Sequence, residues 1–188
     1  MSNPAIPRAD VHRFSEECSD AGDDYRGVAT RLIRDQKPLA NFIQANMPHM
    51  KGEAGEVSMY MFSVILRIFE RAGGRLKKVP QRAAVEAAGR LRPTIATLMP
   101  FDEGLPERLR AVEGVSQPHI LGECIWALYE REEKQEGEID VPADQAGLIL
   151  VLLWAAVEAL NASWRPPSGY AEYAAGVEAA EAAEPTEA

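Results

Sequence analysis

Residues that usually carry chemistry are scarce in this chain: 188 residues include two cysteines, three histidines and 7% aromatic side chains. So little cysteine excludes a disulfide scaffold, and Cys18 and Cys124, far apart in the chain, are expected as free thiols. No Gly-x-Ser-x-Gly elbow, P-loop, Rossmann glycine pattern or His-Glu-x-x-His motif occurs, so no catalytic residue, metal or cofactor is assigned. Alternating runs of β-branched or aromatic residues are also missing, which argues against a sheet. The apolar run Gly147 to Val157 is 11 residues. A bilayer span needs about 20, so this run reads as a buried central helix rather than a membrane segment. The first eight residues hold no apolar stretch behind Arg8, so no secretory or transit signal is expected and the location follows as cytoplasmic.

What is present is ordinary soluble-globular composition, with 46% hydrophobic and 26% charged residues, enough for one core. The chain reads as all-α, a compact helical bundle of about six to seven helices. Pro80, Pro106, Pro118 and Pro142 each precede a periodic apolar stretch, where a missing N–H costs nothing in the first helical turn. Ser116 is a candidate N-cap for the helix at Pro118, and Gly73-Gly74 a stop for the helix before it. Helices are expected at about 22–36, 38–47, 53–72, 80–98, 106–113, 118–134 and 142–163. Residues 1–20 read as a loose or peripherally docked arm, 21–165 as the helical domain, and 166–188 as an Ala/Glu-rich tail. Within that tail Tyr170, Tyr173 and Val177 share a helical face that could dock for a turn or two.

Two of these helices, 57–69 and 147–157, are apolar on nearly every side, the mark of central helices. Such an excess of apolar surface suits either a bundle that surrounds both or a homodimer that buries one across a two-fold axis. On the first helix, Glu56, Tyr60, Ser63, Arg67 and Glu70 fall on one narrow polar stripe. It could line a pocket with Tyr60 and Glu56 as acid–base groups, or form a row of neighbouring pairs facing water.

Charge is unevenly distributed. Residues 67–92 carry 8 basic and 2 acidic side chains, whereas 93–141 carry 4 and 11 and 142–188 carry 1 and 7, against a net charge of −9. Arg71, Arg75, Lys77 and Lys78 of the basic block are candidates for partner binding, together with Arg82, Arg90 and Arg92 as further cations. The block holds no aromatic side chain beyond Phe69 to stack a base, so nucleic acid is a poor partner. Pairing with the acidic run Glu130, Glu132, Glu133, Glu136, Glu138 and Asp140, within the chain or across a dimer, is the expected use.

The remaining candidates lie on the helix after Pro118. His119 and Glu123 are spaced i, i+4, and with Trp126 they lie opposite the core face of Ile120, Leu121, Cys124 and Ile125. A metal site shared with the inward Cys124 is geometrically poor. An outward Trp flanked by a His and a carboxylate has the make-up of a protein-binding hot spot, although in a bundle of this many helices another helix or the tail more often covers such a ring. The leading reading is therefore a non-enzymatic protein that binds another protein or its own copy as adaptor, regulator or acidic inhibitor. The alternative is a small-molecule- or metal-binding bundle, possibly an enzyme using carboxylate and tyrosine groups, built on the Glu56 stripe or on His119 and Glu123.

Overall fold

The computed structural model describes residues 3–131 and 139–183. It is 75% helical, an all-α compact bundle with a two-stranded ribbon as its one piece of sheet among the described residues. In chain order the elements are α1 (Arg8–Asp20), α2 (Tyr25–Asp35), α3 (Lys37–Asn46), α4 (Ala54–Ala72), β1 (Arg75–Leu76), α5 (Gln81–Thr97), α6 (Leu105–Arg110), α7 (Pro118–Ile125), α8 (Ala143–Ser163), β2 (Trp164–Arg165) and α9 (Tyr170–Ala183). The four proline-marked starts hold. Pro80 and Pro142 cap α5 and α8, and Pro106 and Pro118 occupy the first turns of α6 and α7.

The two apolar helices form the centre. α4 packs against α1, α2, α3 and α8, while α8 is covered by α3, α4, α5 and α7. α8 is long and apolar enough to cross a membrane by length and composition, but 72% of its most apolar window is buried inside the bundle. Phe62, Ile65, Leu66, Ile68 and Phe69 of α4 meet Ile149, Leu153, Val157 and Leu160 of α8 in one continuous core. One chain thus covers most of both helices. Close approach is set by small residues. Ala84 and Ala87 are the buried positions of α5 against α8, and a Cβ on Gly147 would stand 2.5 Å from Cβ of Phe101.

Both termini are helical and pack on the bundle, the N-terminal one over a stretch where no helix is expected and the C-terminal one through the Tyr170 face that could dock. Residues 8–20 form a helix with Asp10, Val11, Phe14 and Cys18 buried, and Ile6 ahead of it is fully buried. The physical reason is the spacing of Val11, Phe14 and Cys18 at i, i+3 and i+7, one apolar stripe that the polar residues around it obscure. At the other end, Tyr170 and Ala174 bury the first turns of α9. An edge-to-face aromatic series continues that anchor, Phe69 to Trp164 at 5.5 Å and Trp164 to Tyr170 at 5.3 Å. The Tyr173 hydroxyl donates to the buried Asp10 carboxylate at 2.8 Å, tying α9 to α1.

Ser116 does not cap α7. Gln117 holds the cap position, and no side chain caps the helix. The Gln117 side chain is fully buried and used elsewhere: its Oε1 accepts the Ile6 N–H at 2.8 Å, and its Nε2 donates to the Pro4 carbonyl and to Asn161 Oδ1. One residue thereby joins the N-terminal segment, α7 and α8. The expected stretch 118–134 is α-helical only to Ile125. It then widens into a single π turn, Trp126–Glu130, closed by the Arg131 N–H on the Trp126 carbonyl at 3.0 Å, while 132–134 lie outside the described residues.

Candidate functional site

The inward face of α7 is the one its pattern predicts, with Ile120, Leu121, Cys124 and Ile125 buried. His119, Glu123 and Trp126 therefore turn outward, toward α1 and α9. α1 is held beside them by the Gln117 bridge and by Phe14, over which the Arg71 guanidinium sits at 5.1 Å while pairing with Glu17 at 3.2 Å. Between α1 and α7 lies an open cleft of about 640 Å³ whose walls include Arg8, His12, Arg110, His119, Glu123, Trp126, Glu130 and Glu181. That volume falls within the range of ligand and anchor-residue clefts, roughly 300–1,000 Å³.

Polar and aromatic contacts set the geometry of these walls. His12 Nδ1 is 3.3 Å from Glu123 Oε2, and its Nε2 is 3.3 Å from Glu16 Oε1. The His12 ring stands edge-on to Trp126, with centroids 5.7 Å apart and planes at 85°. Arg131 lies over the indole at 5.8 Å, and Arg110 pairs with Glu130 at the end of the π turn. His119 Nε2 is 3.5 Å from Glu178 of α9. Trp126 remains 39% exposed. It is the first residue of the π turn, a geometry that in helices often marks a functional position. The three candidates on this helix are thus brought together, and α1 adds His12 and Arg8, which the sequence reading missed by leaving residues 1–20 as an arm.

Glu123 also belongs to a second, smaller space. An apolar cleft of about 60 Å³ runs between α1, α4 and α7, walled by Ser15, Tyr60, Met61, Val64, Ile65, Ile68, Ile120, Glu123, Cys124 and Ala127. Glu123 Oε1 is buried without a hydrogen-bond partner. Cys124 beside it is an inert thiol, since burial pushes its pKa up to about 12.

The polar stripe of α4 does not act as one surface. Ser63 is buried and donates to the Tyr60 carbonyl at 2.7 Å. Glu70 pairs with Arg31 of α2 at 2.8 Å and with Arg67 on its own helix, and the Arg31 hydrogen bond, followed by Arg67, holds its carboxyl below the usual range. Glu56 and Tyr60 stay exposed, Tyr60 edge-on to Tyr25 at 6.1 Å. Packing of α2 along α4 divides the stripe, so only Tyr60 converges with the α7 group.

The basic block divides as well. Arg71 and Arg67 are engaged in the pairs just described. Arg75, Lys77, Lys78, Arg82, Arg90 and Arg92 are exposed, and none of them joins an ion pair among the described residues. The expected pairing with the acidic run is not what Glu130 does, because it goes to Arg110; Glu132, Glu133, Glu136 and Glu138 lie outside the described residues. Among the described residues no group of three or more His, Cys, Asp or Glu side chains is placed to hold a metal ion. Comparison with models of protein families, with curated proteins and with solved structures finds no match.

Proposed function

We propose that this is a non-enzymatic binding protein of the cytoplasm, and that its contact surface is the α1–α7 cleft, which receives a segment of a partner protein with Trp126 as the anchor. The observation that carries this reading is a half-exposed indole in the wall of a cleft of about 640 Å³, flanked by His12, His119, Glu123 and Arg110. Aromatic and arginine side chains in a concave, partly desolvated setting are what protein-binding hot spots are made of. The charged rim supplies orientation, and the paired carboxylates and imidazoles hold the walls in place before a partner arrives.

Panning a random peptide library against the full chain tests it. Selected peptides are expected to shift tryptophan emission and to bind Trp126→Ala at least about tenfold more weakly, as truncation of a hot spot does. Peptides that bind Trp126→Ala as well as the parent, or a library that yields none, would overturn the reading.

A second reading, a small amphiphilic ligand, is favoured by one observation: Tyr60 and Glu123 meet at the apolar cleft, where Glu123 Oε1 has no partner. Short primary alkylammonium ions are the matching probe, apolar in body with a donor head. Chemical-shift changes at Ile65, Ile120 and Ala127 that Glu123→Gln abolishes would support it, and their absence would end it.

A further inference from the structure

The outward face of the β1–β2 ribbon is a second surface, independent of the cleft. Register pairs Arg75 with Arg165 and Leu76 with Trp164, antiparallel. Trp164 is buried, and its Nε1 donates to the Gly73 carbonyl at 2.8 Å, so Leu76 and Trp164 form the inner side. Alternation along a strand then turns Arg75 and Arg165 outward together. The Lys77 N–H continues the ladder to the Ser163 carbonyl at 3.3 Å, which places Lys77 on the same outward face as Arg75. Buried Gln36 fixes the strand's exit, donating to the Lys77 carbonyl and accepting the Val79 N–H. Lys78 and Arg82 follow directly, both exposed.

None of these five cations joins an ion pair among the described residues, although the chain holds 29 carboxylates. The neighbouring carboxylates go to other cations: Glu17 to Arg71, Glu70 to Arg31 and Arg67, Asp35 to Arg31 and Arg34. Two guanidinium groups directly across a ribbon repel each other, and an outside anion relieves that repulsion.

We propose that this face docks an extended acidic segment of another protein, with carboxylates at alternate positions lying over Arg75, Lys77 and Arg165. Side chains two residues apart on a strand are separated by about 6.8 Å, and an extended peptide repeats its own side chains at the same interval. A nucleic acid is the poorer occupant. No aromatic side chain occurs between Phe69 and Phe101, the one aromatic of the ribbon faces inward, and the net charge of −9 opposes a polyphosphate.

The test uses the full chain and two fluorescent peptides of equal composition, one alternating Glu-Thr and one with glutamates in adjacent pairs. By anisotropy the alternating peptide is expected to bind roughly fivefold more tightly than the other, and about tenfold less tightly at about 200 mM than at about 50 mM salt. The double variant Arg75→Gln, Arg165→Gln is expected to lose about tenfold, whereas Trp126→Ala and Arg26→Gln, the latter an exposed arginine paired with Asp23, keep parental affinity. A parental circular dichroism spectrum for the double variant separates loss of contact from loss of fold. Absence of binding, equal binding of the two peptides, parental affinity in the double variant, or tighter binding of mixed-sequence single-stranded DNA through the same arginines would each overturn the proposal.

Discussion

At the α1–α7 cleft each histidine has a carboxylate within 3.5 Å, His12 beside Glu16 and Glu123 and His119 beside Glu178. On the β1–β2 ribbon, Arg75 stands directly across from Arg165, and neither joins an ion pair among the described residues. The cleft uses its imidazole–carboxylate contacts to tie α7 to α1 and α9, leaving an aromatic ring and a shaped space for whatever binds. The ribbon uses its backbone for that purpose, through the ladder, Gln36 and the inward Trp164, and leaves its charges outside. Net charge hides this contrast. An acidic chain can carry a locally basic face when its carboxylates are committed to contacts between helices.

Two substitutions separate the regions most sharply. Gly74, between α4 and β1, has φ +77°, and an added Cβ would lie 2.2 Å from the Arg165 carbonyl oxygen. Gly74→Ala is expected to cost about 3 kcal/mol through the left-handed backbone and the displaced ribbon. A urea melt checks the loss of stability, and acidic-peptide binding should fail with it. Gln117→Leu acts on the other side. It strips the Ile6 N–H and the Asn161 carboxamide of a buried partner, at an expected cost of about 2–3 kcal/mol. Its signature is release of α1, read as faster amide exchange across Val11 to Cys18 with the ribbon amides unchanged.

How much of this was legible in the sequence follows from what each element depends on. Helices started by proline and ended by Gly73 are local features, so α4, α5, α6 and α8 appear in the chain within a few residues of their observed bounds, whereas α7 starts where Pro118 puts it but gives way to the π turn after Ile125. The outward direction of His119, Glu123 and Trp126 is equally local, since Ile120, Leu121, Cys124 and Ile125 determine the face. α1 was lost because its apolar stripe has only three members, set among Glu16, Glu17, Ser15 and Ser19. With it went His12 and Arg8, and so the second wall of the cleft. The division of the Glu56 to Glu70 stripe depends on where α2 lies, a long-range matter on which helical periodicity is silent. The ribbon is shorter still. Two residues per strand give no alternating pattern, and its register comes from Trp164 docking against Phe69 and Tyr170.

A pH titration sharpens the contrast between committed and free charges. Hydrogen bonds from Arg31 and then Arg67 depress the Glu70 carboxyl in the fold, so its contribution is complete above the unfolded carboxylate value and is lost as pH falls through the lower folded one. Glu70→Gln is therefore expected to be less stable than the parent at neutral pH and to converge with it in acid, as followed by thermal melts from pH 7 downward. A constant difference across that range would mean that the Arg31 contact does not carry the effect.

The smallest expected effect has the opposite sign. Removing one member of a committed surface pair, as in Glu17→Gln opposite Arg71, should destabilise by less than about 1 kcal/mol. Removing one of two facing cations, as in Arg165→Gln, should instead stabilise by about 0.5 kcal/mol, because the repulsion across the ribbon disappears while the backbone ladder stays. The gain should shrink as salt is added, since both guanidinium groups are exposed and screened. Thermal melts of the two variants at low and high salt measure both signs at once. If Arg165→Gln is destabilising at low salt, the guanidinium is engaged within the chain, and the ribbon does not hold its charges free for a partner.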